Sequence, residues 1–160
     1  MFYREVESPI GPLLLAGDDE GLRFLLFKKG RDKARPRSEW APDRSSLKES
    51  AKQLGAYFAG RLRDFELPLA PQGTPFQTAV WSALLKIHYG ETVSYSQIAD
   101  RLGNPKAVRA VGLANGSNPI AIIIPCHRVI GSNGSLTGYG GGLPIKQALL
   151  ALERGQTRLI

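Results

Sequence analysis

A chain of 160 residues, 42% of them hydrophobic, can form one domain or two small ones and bury a core, so disorder is not the default. Its single cysteine excludes an internal disulfide and the multi-cysteine zinc patterns, and two histidines leave too few soft ligands for a metal site. The formal charge of +7 is unevenly spread: residues 1–70 carry 13 Lys+Arg against 11 Asp+Glu, residues 71–160 carry 8 against 3. A sparse positive field of this kind suits a polyanion such as DNA, and equally suits a basic surface with no partner. The first residues alternate charged and apolar, with no signal peptide or membrane-spanning run, so a cytoplasmic protein with no membrane partner is expected.

Phe2–Val6, Leu13–Ala16 and Leu22–Phe27 read as short strands of an antiparallel meander, separated by turns at residues 8–12 and 17–21. Lys28–Asp43, rich in charge and proline, reads as an exposed loop. Ser46–Ala59 carries Leu47, Ala51, Leu54 and Phe58 on one helical stripe before Gly60. Residues 68–73, Pro-Leu-Ala-Pro-Gln-Gly, read as a linker.

The second half reads as helices. Thr74 caps and Pro75 opens one that runs to Gly90. Ser94 begins a shorter helix through Leu102, and Asn104-Pro105 opens a third to about Ala114; together they look like a helix-turn-helix. Ile122–Pro125 reads as a buried extended segment, Gly138–Gly142 as a flexible loop, and Pro144 as the start of a last helix with Ile145, Ala148, Leu149 and Leu152 inward. The fold class expected is α+β: a small N-terminal antiparallel sheet with a helix, then a mainly helical C-terminal region.

Residues that could carry chemistry converge on Ile122-Ile123-Ile124-Pro125-Cys126-His127-Arg128-Val129-Ile130. A thiolate is a strong nucleophile, and a nearby imidazole lowers the cost of forming it. In extended chain adjacent side chains diverge, so contact between Cys126 and His127 would need a turn or a bridging water; a buried thiol beside a satisfied histidine is the other reading. Glu153, the only acidic residue after Asp100, lies at the end of the last helix, where the dipole disfavours it. It could orient His127, or it is a solvated helix-end glutamate. Ala107, Ala110 and Ala114 fall on one face of the third helix, allowing either close approach to a ligand or tight packing, and Arg109 is the single long charge in its middle. Tyr95 could donate to a leaving anion, and the Asn118 side chain could tie the helical segment to the Cys126 segment.

These pieces, in this order and spacing, resemble the O6-alkylguanine-DNA alkyltransferases, or methylated-DNA–protein-cysteine methyltransferases. The likeness runs from Thr74 to Gly155 through Gly90-Glu91-Thr92-Val93-Ser94-Tyr95, Asn104–Gly112, Asn118-Pro119, Ile123–Ile130, Gly141-Gly142-Leu143 and Leu149–Glu153. The first 70 residues match in general plan only. The resemblance implies a ribonuclease H-like domain over residues 1–70 and a winged helix-like DNA-binding and alkyl-acceptor domain over 74–160. It implies that Cys126 accepts the alkyl group, that His127 deprotonates it through a water, and that Glu153 orients the histidine. Tyr95 would assist departure of guanine, Arg109 would fill the gap left by a flipped nucleotide, and Asn118 would brace the recognition helix. Val129, Tyr139 and Gly140 would read the base; Ser96, Asn104 and Ser132 would meet phosphates.

The implied partner is alkylated double-stranded DNA, entered from the minor groove with the damaged base flipped; the resemblance also raises cooperative self-association on DNA. The implied reaction is direct damage reversal by a single-turnover S-methyltransferase. Some members carry serine where Gly140 stands, which removes a hydroxyl contact. The extra ligands of zinc-bearing members and the four-cysteine domain of adaptive-response regulators are absent, so no metal and no cofactor are expected. Two rival readings are a helix-turn-helix protein without chemistry, which leaves residues 125–128 unused, and a cysteine hydrolase, which needs an oxyanion site.

Overall fold

Leu13, Leu14, Leu15 and Leu25 are apolar and fully buried, and they make the meander the foundation of the N-terminal half. The computed structural model describes residues 1–29 and 34–155. Strands β1 (Phe2–Val6), β2 (Leu13–Asp18) and β3 (Gly21–Phe27) pair antiparallel, as the short loops require. The sheet order is β3-β2-β1-β4, where β4 (Ala41–Pro42) lies parallel to β1. The exposed-loop reading of Lys28–Asp43 is therefore corrected in part: Trp40 is buried with Leu14 and Ala16, and Phe24 packs against it. Residues 30–33 of that stretch lie outside the described residues.

Helix α1 (Lys48–Phe58) lies within the expected span and buries Ser50, Leu54, Tyr57 and Phe58. Residues 68–73 are not a free tether. Leu22 N–H donates to Pro68 O at 2.9 Å, and Ala70 N–H donates to Leu22 O at 2.8 Å. Segment 119–121 likewise pairs with Leu25, through Leu25 N–H to Pro119 O and Ala121 N–H to Leu25 O. Strand β3 thus pairs with both the linker and the segment before Cys126, and one apolar core continues from Leu13 to Leu152.

Helix α2 (Pro75–Leu84) starts where expected, with Thr74 and Gln77 forming a reciprocal capping box, but ends in turns before Gly90. Ser94 and Gln97 repeat that box on α3 (Tyr95–Arg101). Helix α4 spans Val108–Gly116 and starts three residues later than the sequence suggests. Asn104 and Pro105 open a turn instead, closed by Ala107 N–H on Asn104 O at 3.0 Å, a favoured use of Asn-Pro. Gly103, at φ +74°, lets the chain reverse between α3 and α4. A two-stranded parallel pair, β5 (Val93–Ser94) and β6 (Val129–Ile130), ties α3 to the segment that follows Cys126. Helix α5 (Leu143–Glu153) closes the α+β fold.

The extended reading of Ile122–Pro125 is wrong. Residues 121–124 coil into turns, with Ile124 N–H on Ile120 O at 3.0 Å and Ile122 at φ +71°. A β-branched residue there is strained. Asn118 helps to keep the coil: its Oδ1 accepts from Ile120 N–H at 3.0 Å, and its Nδ2 donates to Ile124 O at 2.8 Å.

Candidate active site

The coiled segment delivers Cys126 into a single 3-10 turn, Cys126–Arg128, closed by Arg128 N–H on Pro125 O at 3.0 Å. Successive side chains of a 3-10 helix splay by a third of a turn. Cys126, His127 and Arg128 therefore leave the same backbone in three directions, and all three are buried. This geometry replaces the two-sided divergence that an extended strand would impose.

Glu153 is the hub beneath them. Its Oε2 accepts from His127 Nε2 at 2.7 Å, from the Tyr57 hydroxyl at 2.6 Å and from Arg128 Nη2 at 3.0 Å. Its Oε1 accepts from Arg128 Nε at 2.7 Å and, at 3.5 Å, from Gly90 N–H. Burial alone would raise this carboxyl, but the hydrogen bonds and charges of His127 and Arg128 outweigh it and bring the pKa down to about 2. Glu153 is thus an anion, not a solvated helix-end residue. An anion cannot donate, so His127 Nε2 carries the proton and Nδ1 keeps a lone pair. That Nδ1 is buried with no hydrogen-bond partner among the described residues. Burial pushes the imidazole pKa down, against the pull of Glu153, so the ring is a neutral base near pH 7.

Burial pushes the Cys126 thiol up, while the Asn118 side chain, the Lys146 ammonium and the Tyr139 hydroxyl each favour the thiolate. Lys146 is fully buried, donating to Val129 O at 2.7 Å and, more weakly, to Thr137 O at 3.4 Å. It has no ion-pair partner among the described residues, so its charge is spent on the carbonyls and the sulfur.

A cavity of about 80 Å³ opens beside the sulfur, lined by Leu25, Phe27, Asn115, Asn118, Cys126 and Tyr139. Gly116, Gly138, Tyr139 and Gly140 line both this cavity and a broad groove of about 730 Å³ along α4. Tyr95 and Arg109 stand in that groove with Val108, Gly112 and Leu113, and Leu113 is 74% exposed. The Tyr95 hydroxyl bonds the Thr137 hydroxyl at its edge. Ser96 Oγ and Ser132 Oγ lie 3.0 Å apart on the neighbouring surface, and Asn104 is exposed in the turn before α4. Val129 is buried in β6, where its carbonyl takes Lys146. The alanine face of α4 divides: Ala110 is exposed, while Ala114 packs inward and its carbonyl accepts Trp81 Nε1–H. The groove-facing stripe is Val108, Arg109, Gly112, Leu113 and Gly116.

Three contributors escaped the sequence reading: Tyr57, Arg128 and Lys146. A signal existed for two of them. Lys146, Leu149, Leu150 and Glu153 repeat at i, i+3, i+4 and i+7, which puts a lysine and a glutamate on the same inward stripe. Ser50, Leu54 and Tyr57 make the equivalent stripe on α1. No spacing reveals that Arg128 turns inward. Among the described residues no cluster of three or more His, Cys, Asp or Glu side chains could hold a metal, and no helix is long and apolar enough to cross a membrane.

Comparison with known proteins agrees with this arrangement over nearly the whole chain. Residues 75–155 match the family model of the 6-O-methylguanine DNA methyltransferase DNA-binding domain, and residues 1–71 match that of its ribonuclease-like domain. The methylated-DNA–protein-cysteine methyltransferase of Methanosarcina acetivorans is 58% identical over 153 residues, covering 96% of this chain and 98% of its own. The protein of the same name from Mycobacterium tuberculosis is 54% identical, covering 96% and 93%. The crystal structure of Mycobacterium tuberculosis OGT in complex with DNA superposes with a TM-score of 0.92 at 53% identity, over 99% of this chain and 96% of that one. The chain belongs to the methylated-DNA–protein-cysteine methyltransferase family.

Proposed function

We propose that the protein binds alkylated duplex DNA from the minor groove, takes a flipped O6-alkylguanine into the cavity beside Cys126, and moves the alkyl group onto that sulfur. The observation that carries this reading is the buried His127–Glu153 pair, with His127 Nδ1, unpartnered among the described residues, next in the chain to the buried Cys126 thiol, beside a cavity that shares its rim residues with the groove that Arg109 lines. A base inside a duplex is out of reach of a buried thiol, so it must leave the stack. The exposed Val108, Leu113 and Arg109 are suited to a shallow groove and to the gap a flipped base leaves.

The Cys126 proton passes to His127 Nδ1 through a bridging water, and the imidazolium forms against the Glu153 carboxylate. The sulfur attacks the alkyl carbon; the S–C bond forms as the O6–C bond breaks. The electron pair returns to the purine, whose developing anion the Tyr95 hydroxyl in the adjoining groove can meet with a hydrogen bond before it is protonated. The product thioether offers no route back to a thiolate, so each chain acts once. Asn118 braces the segment that presents Cys126, while Tyr139, Gly140 and the Val129 backbone frame the base. Ser96, Asn104 and Ser132 supply phosphate contacts along the same face. The free thiol suits a reducing compartment, in keeping with a cytoplasmic protein. Titration of binding stoichiometry on a long duplex tests for assembly of several copies side by side.

Cys126→Ser separates chemistry from binding. Alkyl transfer should vanish while affinity for alkylated duplex largely survives. Retained repair would contradict the acceptor role, and a protein that binds and repairs normally with Arg109→Ala would contradict the proposed groove.

A further inference from the structure

Tyr57 belongs to α1 in the N-terminal half, yet its hydroxyl is 0% exposed and donates to Glu153 Oε2 at 2.6 Å. That oxygen is the one that accepts His127 Nε2–H, at 2.7 Å. We infer that Tyr57 is a positioning residue for alkyl transfer: by sharing the oxygen that serves His127, it sets how strongly the imidazole can take the Cys126 proton. The inference rests on His127 being the base, as proposed above, and gives the N-terminal half a part in the reaction.

The reason is competition for charge. Three donors converge on Oε2, from Tyr57, His127 and Arg128. Each draws electron density toward itself and weakens the hold of the oxygen on the other two. When His127 becomes imidazolium, its stabilisation depends on the negative charge left at Oε2. The Tyr57 hydroxyl dilutes that charge and keeps the base weaker than a bare His–Glu pair would make it. Burial and the Glu153 charge both hold the Tyr57 phenol protonated, so it remains a donor throughout.

The other groups facing this centre stay in place when the hydroxyl alone is removed. Lys146 reaches it from α5, and Arg128 and Cys126 from the 3-10 turn. Tyr139 comes from the loop before α5, and Tyr89, with the Arg63 guanidinium over its ring, lies behind. The Tyr57 ring packs against Phe58, Phe65 and Tyr89 at centroid distances of 5.5, 5.4 and 6.2 Å, contacts a phenylalanine would keep. Oε2 would still accept from two donors, so Tyr57→Phe leaves no buried acceptor without a partner.

The test is the pH dependence of single-turnover methyl transfer from duplex DNA. In the Tyr57→Phe protein the acid limb should move to higher pH by about half a unit to one unit, roughly three- to tenfold in rate at a fixed pH on the limb. Site-specific 3-fluorotyrosine at position 57, a stronger donor, should move the limb the opposite way. A purely packing role moves neither. An unmoved limb, or a shift to lower pH with Tyr57→Phe, overturns the inference. If the Tyr57→Phe protein does not fold, the fluorotyrosine protein decides by the same criterion. His127→Ala separates the two layers: if it keeps the wild-type limb, His127 is not the base and both readings fall. If it abolishes the limb while neither change at Tyr57 shifts it, only the role of Tyr57 falls.

Discussion

Replacing Glu153 with glutamine should destabilise the DNA-free protein at pH 7 by about 3–5 kcal/mol, the range for breaking a buried ion pair. The structure supplies an independent figure. The carboxyl titrates near its ordinary 4.5 when unfolded and at about 2 when folded. At ~1.36 kcal/mol per unit, that difference is worth about 3 kcal/mol. Because the folded value is the lower one, this stability is fully present above pH 4.5. It drains as the pH falls toward 2. His127, whose burial lowers its pKa, drains stability in the same direction as the pH falls below 6.5. Glutamine would also leave the Arg128 guanidinium buried without its counter-charge. Urea denaturation of wild-type and Glu153→Gln proteins from pH 7 to pH 3 measures the effect. The two curves should lie furthest apart at pH 7 and converge in acid, and the variant should melt roughly 10 °C lower at pH 7, at ~2–4 °C per kcal/mol. Equal stability at pH 7, or a gap that widens in acid, would refute the reasoning.

Other perturbations have equally definite outcomes. Arg109→Ala should weaken base extrusion, read by a fluorescent base analogue in the duplex, more than it weakens initial binding; equal loss of both would contradict the wedge. Lys146→Met removes the ammonium that favours the Cys126 thiolate. Its reaction with iodoacetamide should slow near neutral pH and approach wild type at a pH that ionises the thiol, and an unchanged profile would dismiss that role. Affinity for unmodified duplex should fall steeply with salt, as the exposed Arg109 and the formal net charge of +7 require. A flat salt dependence would point to a different contact surface.

Local chemistry made much of the fold legible. The strands of the meander and the helix starts at Thr74 and Ser94 each depend on a few neighbouring residues, and each appears where those residues stand. The failures lie where distant groups decide. Ile122–Pro125 looks extended by composition, but hydrogen bonds to Asn118 and Ile120 fold residues 121–124 into turns. Asn104-Pro105 satisfied a helix-start pattern and made a turn instead. In the candidate site, Cys126, His127 and Glu153 were readable because side-chain chemistry and family spacing agreed. Arg128 was not, since nothing adjacent to it says that a carboxylate from α5 waits inside. Tyr57 was hidden by its separation of 96 positions from Glu153 and by a hydroxyl that looked like packing.

The most direct measurement counts alkyl groups. Protein mixed with excess duplex DNA bearing methyl-labelled O6-methylguanine should gain one methyl group per chain, located on Cys126 by peptide mapping, and then stop. Label on another residue, transfer that continues beyond one per chain, or no transfer by folded protein would contradict the account.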